Sequence, residues 1–430
     1  MTYRQCLEYL YSQLPMFHRI GPAAYKANLD NTIQIMQMLG NPEHSIRCIH
    51  VAGTNGKGST SHMLASILQE AGYKTGLFTS PHLKDFRERI RINGNMISQN
   101  KVVSFVERYR DGFEAIQPSF FEWTAGLAFD HFRNSKVEIA VIETGLGGRL
   151  DSTNVIQPML SLITNVQWDH MNLLGNTLGK IAKEKAGIIK PSVPVIIGST
   201  QAETENVFRS IAKKNKSAIS FADQKYRIKT SGESRTAELK RFDVLAKNKT
   251  LLHNVNSGLA GGYQRHNIPL VFAAVLELRE QGIRVSDMSI KKGLKKVKAN
   301  TGIRGRWEVL SKKPLTIADT AHNKDGITAV VKQLNKIKYK KLHLVLGAVN
   351  DKDITSMLAL FPKNGTCYFC KPNIPRGLDA VELKMQAESI GLKGEAYHSV
   401  KRALQAARKA AIPSDLIYIG GSTFVVAEAL

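Results

Sequence analysis

His50-Val-Ala-Gly-Thr-Asn-Gly-Lys-Gly-Ser-Thr60 runs a short apolar strand into a glycine loop with one lysine, and the apolar periodicity of Ser61 to Ala71 continues it as a helix. That is the build of a phosphate cradle. Glycines let backbone N–H groups turn onto an anion, the lysine adds a point charge, and the helix presents its positive end. The spacing departs from the strict P-loop pattern, because two residues separate Gly53 from Gly56 and Gly58 stands between Lys57 and Ser59. ATP is the expected ligand.

Working outward, strands at Thr75–Thr79, Val137–Glu143, Leu160–Val166 and Val193–Ile197 alternate with helices at Val102–Ile116, Phe121–Phe132 and Leu178–Ile188. Such alternation predicts a mostly parallel sheet covered by helices on both faces. Ligands bind beyond the carboxyl ends of such strands, where Gly53, Ser80, Glu143 and Asn165 fall. Phe221 to Leu252 reads as an antiparallel meander before a helix starting near Ser257. The basic, Gly-containing stretch Lys295–Gly305 predicts a boundary between a domain over 1–298 and a smaller α/β domain over 299–430. In the latter, strands are expected at Leu315–Asp319, Leu342–Gly347, Thr366–Phe369 and Leu416–Gly420, with helices at 326–336, 380–390 and 400–411.

The 430 residues suit two or three domains, and 43% hydrophobic with 22% charged residues exclude a disordered or fibrous chain. The start lacks the basic and apolar regions of a signal peptide, and no run reaches the roughly eighteen apolar residues of a membrane span, so a cytoplasmic protein is expected. Four cysteines make no disulfide framework, and Cys367-Tyr-Phe-Cys370 reads as strand packing rather than half a zinc site. The net charge of +24 is spread thinly over lysine pairs without interleaved aromatics, which fits solvated faces or steering of anionic small molecules better than a nucleic-acid platform.

Glu143-Thr-Gly-Leu-Gly-Gly-Arg-Leu-Asp-Ser-Thr-Asn154 closes a buried strand with an acid suited to Mg²⁺, which takes one or two carboxylates alongside phosphate oxygens. Asp169-His170 ends the next strand, and His170 could complete the metal shell.

Taken together, Gly53–Ser59, Thr79-Ser-Pro-His-Leu83, Glu143–Asn154, Asp169-His170, Glu184-Lys-Ala-Gly-Ile188, Gln264-Arg-His-Asn267, Gly305-Arg306 and Asp319-Thr-Ala-His-Asn323 resemble the folylpolyglutamate synthase/dihydrofolate synthase family of the Mur ligase superfamily. The resemblance spans nearly the whole chain. It implies a P-loop-containing ATPase domain followed by a Rossmann-like domain that closes over a cleft. The implied reaction passes the γ-phosphoryl of ATP to a folate or dihydropteroate carboxylate, and the amine of L-glutamate then attacks the acyl phosphate. Gly53, Thr54, Asn55, Gly56, Lys57, Gly58 and Ser59 would hold ATP, completed by Asn267, Arg306, Asp319 and His322. Ser80, Glu143 and His170 would ligate Mg²⁺, with Lys57, Lys185, His170 and Glu143 in the catalytic set. Lys185 matches a lysine that the family carries carbamylated. Ser119, Phe120, Phe121, Glu122, Leu150, Asp151, Ser152 and His82 would line the substrate site, aromatic faces suiting a flat pteridine.

Lys324 and Ala27-Asn-Leu-Asp-Asn31 depart from the family's usual residues. The resemblance leaves open whether one or both glutamate-adding activities are present. A Mur-type ligase on a cell-wall precursor and, from another class, a nucleic-acid-binding NTPase remain as alternatives. The partners expected are small molecules alone, with no nucleic acid and no membrane, acting on a monomer.

Overall fold

The computed structural model describes residues 1–15, 28–230, 238–350 and 354–430; Ala27 and the 231–237 part of the expected meander lie outside the described residues. Internal contacts divide the chain into two units. The first comprises Met1–Lys229, Arg241–Gly258 and Arg265–Gly302, the second Thr230–Lys240, Leu259–Gln264 and Ile303–Leu430.

The first unit is built on eight strands: β1 (Arg47–Ala52), β2 (Thr75–Phe78), β3 (Ile90–Ile92), β4 (Asn95–Met96), β5 (Ile139–Glu143), β6 (Leu160–Ile163), β7 (Val195–Ile197) and β8 (Ile219–Phe221). Their order across the sheet is β4-β3-β2-β5-β1-β6-β7-β8. All neighbours pair in parallel except the edge hairpin, where β3 is antiparallel to β2 and β4 to β3. β1, β5 and β6 are apolar because both faces are covered, as parallel strands require. The one polar side chain inside β1, His50, bonds Thr153 Oγ1 through Nε2 at 2.9 Å, and burial pushes its pKa down to about 3, so it is a neutral core residue.

Helix Lys57–Glu70 follows β1, and every residue from Ser59 to Leu68 is buried. It is enclosed because helix Asp287–Thr301 lies directly on it. Their backbones meet at Gly293, where an added Cβ would stand 2.5 Å from Ile67 Cα, and Ser66 Oγ donates to Gly293 O at 2.7 Å. On the other face, helices Gln99–Ile116 and Phe120–Asn134 join through an aromatic cluster in which the Phe113 and Trp123 rings are 4.6 Å apart.

Observed elements match the expected ones within a few residues, with physical reasons for the exceptions. The meander is a three-stranded sheet in the order β11-β10-β9, of β9 (Tyr226–Thr230), β10 (Arg241–Ala246) and β11 (Lys249–Asn256), with β10 antiparallel to β11. The helix placed near Ser257 starts only at Gln264. Gly258 N donates to Leu294 O at 2.9 Å, which ties the preceding backbone down as a loop. The β3–β4 hairpin was missed although Asn93-Gly94, both at positive φ, is a hairpin turn signal.

The second unit holds β12 (Glu308–Lys312), β13 (Leu315–Ala318), β14 (Leu342–Leu346), β15 (Thr366–Cys370), β16 (Lys393–Tyr397) and β17 (Leu416–Gly420), in the order β12-β13-β17-β14-β15-β16. β12 pairs antiparallel with β13 and the remainder are parallel. β12 and β16 escaped sequence reading because edge strands bury one side only and lack a continuous apolar run. Cys367 and Cys370 sit inside β15 as free, buried thiols, in keeping with strand packing.

The contact at Gly293 is open to a direct test. Gly293→Ala gains about 1 kcal/mol of helix propensity but forces two backbones apart, at a cost of about 1–3 kcal/mol. The second effect should win, lowering the urea midpoint of unfolding; a raised midpoint would show that the helices separate without strain.

Candidate active site

In the first sheet β2, β5, β1 and β6 are consecutive neighbours, so Ser80, Glu143, Gly53 and Asn165 are gathered along one carboxyl edge. The loop Gly53–Gly56 is shaped from two sides. Gly53 has φ +141, and a Cβ there would fall 1.8 Å from Thr164 Oγ1; Gly56 has φ +89, and its Cβ would fall 2.3 Å from Asn267 Oδ1. Only glycine combines these conformations with such close approach. The end of β6 then ties the loop. Thr54 N donates to Asn165 O at 3.0 Å and Asn55 N to Asn165 Oδ1 at 3.0 Å, while Thr164 Oγ1 and Asn165 Nδ2 donate to Asn55 O at 2.7 and 2.9 Å. The helix starting at Lys57 has no side-chain cap at its N-terminus, where Gly58 and Ser59 form the first turn. Uncapped amides and the helix dipole together suit an anion.

Two lysines converge on one oxygen. Lys57 Nζ donates to Gly53 O at 3.1 Å and to Thr54 O at 3.3 Å, and Lys185 Nζ donates to the same Gly53 O at 2.9 Å. Lys185 is 3% exposed. Burial, together with the neighbouring Lys57 charge, pushes its pKa down to about 7, against the opposing pull of Asp169 and Asp151. Its amine is therefore largely neutral above neutrality. The family resemblance pointed to Lys185, but only the fold reveals that it shares an acceptor with Lys57.

Of the expected metal ligands, Ser80 and Glu143 are brought together, Ser80 N donating to Glu143 Oε2 at 3.2 Å. His170 lies on the loop after β6 at φ +48, with Nε2 3.7 Å from Asp169 Oδ2. Among the described residues no three His, Cys, Asp or Glu side chains group to hold a metal ion. A donor set of one buried carboxylate beside a phosphate cradle fits magnesium, which keeps water and phosphate oxygens in its shell.

Several expected substrate residues also have structural duties. Ser119 and Glu122 form a reciprocal capping box on helix Phe120–Asn134. Asp151 is buried and accepts from Leu146 N at 2.8 Å and Thr153 N at 3.0 Å, shaping the turn that contains Ser152; burial raises its pKa against those bonds. Phe120 is buried in the core, while half-buried Phe121 packs on Phe78 with ring centroids 5.8 Å apart, and Leu150 is half-buried. His82 Nδ1 accepts from Arg89 Nε at 2.8 Å. Sequence reasoning missed Arg89.

Arg306, Asp319 and His322 belong to the second unit. Asp319 follows β13 and is 2% exposed; its Oδ2 accepts from Tyr263 O–H at 2.6 Å and Trp307 N at 2.7 Å, and Oδ1 from Ala321 N at 2.9 Å. Burial raises its pKa, opposed by the Tyr263 bond and the Arg306 charge. His322 Nδ1 lies 2.9 Å from Thr320 O, and Asn323 caps the helix that begins at Lys324. Tyr263 was missed as well, though Gly261-Gly262 before it marks a special backbone.

Comparison with known proteins follows the same layout. The Mur ligase middle domain matches residues 51–275, and the Mur ligase, glutamate ligase domain matches 305–423. Dihydrofolate synthase/folylpolyglutamate synthase of Bacillus subtilis is 37% identical over 342 residues, covering 77% of this chain and 78% of that one. A probable bifunctional folylpolyglutamate synthase/dihydropteroate synthase of Haloferax volcanii is 34% identical over 417 residues; the match takes in 94% of this chain but about half of that protein, 48%. A crystal structure of a bifunctional folylpolyglutamate synthase/dihydrofolate synthase with Mn, AMPPNP and L-glutamate bound superposes with a TM-score of 0.83 at 27% identity, covering 100% of this chain and 97% of that one.

Gly56→Ala tests the cradle. Holding a non-glycine residue in the left-handed region costs about 1–2 kcal/mol, and the new methyl displaces Asn267. Adenine nucleotide affinity, measured by calorimetry, should weaken at least about tenfold; unchanged affinity would remove Gly56 from the site.

Proposed function

The chain belongs to the folylpolyglutamate synthase/dihydrofolate synthase family of Mur ligases, and from that membership we propose that it is an ATP-dependent ligase adding L-glutamate to a folate or dihydropteroate carboxylate. The observation that carries the reading is the meeting of Gly53–Lys57, Ser80, Glu143 and Lys185 at the carboxyl edge of adjacent strands. A carboxylate oxygen of the acceptor attacks the γ-phosphorus of ATP and ADP leaves. The glutamate amine then attacks the acyl carbon, phosphate departs, and one proton is lost. Activation replaces a poor leaving oxygen by phosphate. Such a reaction needs charge stabilisation around phosphoryl oxygens more than a protein nucleophile.

In this reading the backbone of Gly53–Ser59 and the Lys57 ammonium hold the nucleotide phosphates. Asn267 fixes the loop conformation beside Gly56. The first unit would be the nucleotide-binding and catalytic domain and the second the ligase domain, where Arg306, Asp319 and His322 would serve the nucleotide. Magnesium, held by Glu143, Ser80 and His170, would neutralise the charge on the transferring phosphoryl oxygens. His82, Phe121, Leu150 and the turn shaped by Asp151 present the acceptor site. Four buried free thiols accord with a reducing cytoplasmic setting.

Lys185 is proposed to be carbamylated. Its neutral amine nitrogen attacks the carbon of CO₂, a C–N bond forms, a proton leaves, and the buried cation becomes an anion. The depressed pKa of about 7 makes the nucleophilic form available. Below pH 7 the ammonium predominates and cannot add CO₂. Carbamate content, followed by NMR with isotope-labelled bicarbonate, should rise through pH 7 and disappear in Lys185→Met; a signal independent of pH or of Lys185 would exclude this modification.

The deciding measurement is ADP release from ATP and glutamate with dihydropteroate and, separately, with tetrahydrofolate, the ligated product being confirmed by mass. Turnover with both acceptors means two activities, turnover with one identifies it, and silence with both overturns the reading. Lys57→Ala and Glu143→Ala should each cut turnover by at least about a hundredfold while leaving the circular dichroism spectrum unchanged. Turnover at the wild-type level would sink their roles.

A further inference from the structure

One buried cation near this site has no place in the chemistry just described. Arg89 ends the turn Phe86–Arg89 that leads into β3, and it is 2% exposed. Its backbone oxygen accepts from Thr79 N at 3.0 Å, its Nε donates to His82 Nδ1 at 2.8 Å, and its guanidinium carbon stands 5.2 Å from the centroid of the Phe120 ring. The ring it faces is itself packed among aromatics, Phe120 lying 5.8 Å from Phe86 and 5.7 Å from Tyr11, ring centroid to centroid. The side chain is thereby pinned at Nε and along one face.

Among the described residues no carboxylate forms an ion pair with it. Neither Nη group has a hydrogen-bond partner among the described residues. The nearest acids are engaged elsewhere. Glu88 accepts from the backbone N–H groups of Leu83, Lys84 and Asp85 at 2.8 to 3.0 Å, and Glu143 accepts from Ser80 N at 3.2 Å. Burial pushes the Arg89 pKa down to about 10, opposed through space by Tyr11 and then by Glu143 and Glu88. A buried guanidinium without an anion is costly, and a chain that keeps one commonly does so for a ligand that supplies the missing charge. Arg91, two residues on, differs because its Nη1 donates to Gly94 O at 2.9 Å within the hairpin.

The location selects the anion. Ser80 and His82 belong to one short loop; Ser80 N donates to Glu143 and His82 accepts from Arg89, so a single loop ties the guanidinium, packed on Phe120, to the carboxylate assigned to the metal. A flat acceptor lying against the half-buried Phe121 and His82 would direct its carboxylate toward the guanidinium that His82 holds and toward the transferring phosphoryl group. We propose that Arg89 is the residue that binds the acceptor's carboxylate, its two Nη groups gripping both oxygens of an aryl or glutamyl carboxylate. Guanidinium geometry matches a carboxylate in this way and an ammonium does not. Arg89 also offsets the repulsion between an anionic acceptor and the nucleotide's phosphate. His82 is then a positioning residue, fixing the Nε edge so that the opposite edge faces the ligand.

This inference rests on the ligase reading, and its test separates the two. Dihydropteroate and its uncharged carboxamide are titrated into wild type, Arg89→Met and Arg89→Lys by calorimetry, with thermal melts as folding controls and ADP release assayed alongside. Wild type should prefer the carboxylate by at least about tenfold. Arg89→Met should bind both compounds alike, and Arg89→Lys should recover part of the preference. A preference that persists in Arg89→Met, or a wild type that does not distinguish the compounds, overturns the proposal. Should Arg89→Met fail to fold, Arg89→Lys, which keeps the charge but not the paired Nη geometry, carries the comparison: a preference undiminished from wild type overturns the proposal. Carboxylate preference without any ADP release would sink the ligase reading and leave Arg89 as the anion site.

Discussion

Gly53 and Gly56 lie where the next strand and a later helix press closest on the loop between them, and the cradle depends on that crowding. Thr164 Oγ1 fills the volume a side chain on Gly53 would take, and Asn267 Oδ1 the volume beside Gly56. Asn165 then accepts from Asn55 N with one side-chain atom and donates to Asn55 O with the other. The loop is thus held in shape by its own fold, so little ordering would remain for the phosphate proposed to bind there. The enclosed helix Lys57–Glu70 extends the constraint, because its buried faces prevent the positive end from drifting from the sheet edge.

Charge is the second constraint, and it conflicts with the first. Holding the loop in this shape places Lys57 and Lys185 on a single carbonyl oxygen. Burial first, and repulsion between the two cations second, push the pKa of the Lys185 amine down to about 7. A nucleotide polyphosphate relieves the conflict from the side of Lys57; a carbamate would relieve it from the side of Lys185 and turn repulsion into attraction. The arrangement is therefore poised for anions, and the chain's net charge of +24 adds long-range attraction without locating the site.

The ends of the central strands were legible because each joins a buried apolar run to a polar, glycine-containing turn, and parallel-sheet topology alone then places Ser80, Glu143, Gly53 and Asn165 along one edge. Partners were less legible. Nothing local in Arg89 marks it off from the basic residues Arg87 and Arg91 on either side; its burial follows from aromatic residues of other elements closing over it. Tyr263 reaches Asp319 across 56 positions, a separation no periodicity reports. The helix from Gln264 was placed too early because the apolar pattern says nothing about a backbone bond such as Gly258 N to Leu294 O.

The acceptor end of the site illustrates how one residue can have two duties. Ser119 with Glu122, and Asp151 with its turn, are hydrogen-bonded into the scaffold. Their polar atoms hold backbone in place, so discrimination at this end falls mainly to surfaces that the scaffold positions. Those are the half-buried ring of Phe121 and the edge of His82, set by packing against Phe78 and by the bond to Arg89. Stacking faces tolerate differences in ring oxidation state and tail length. In the proposed reading strictness would come from charge at the reacting end, where the Arg89 guanidinium, pinned by His82, and the Glu143 carboxylate proposed for the metal would favour an anion able to accept a phosphoryl group.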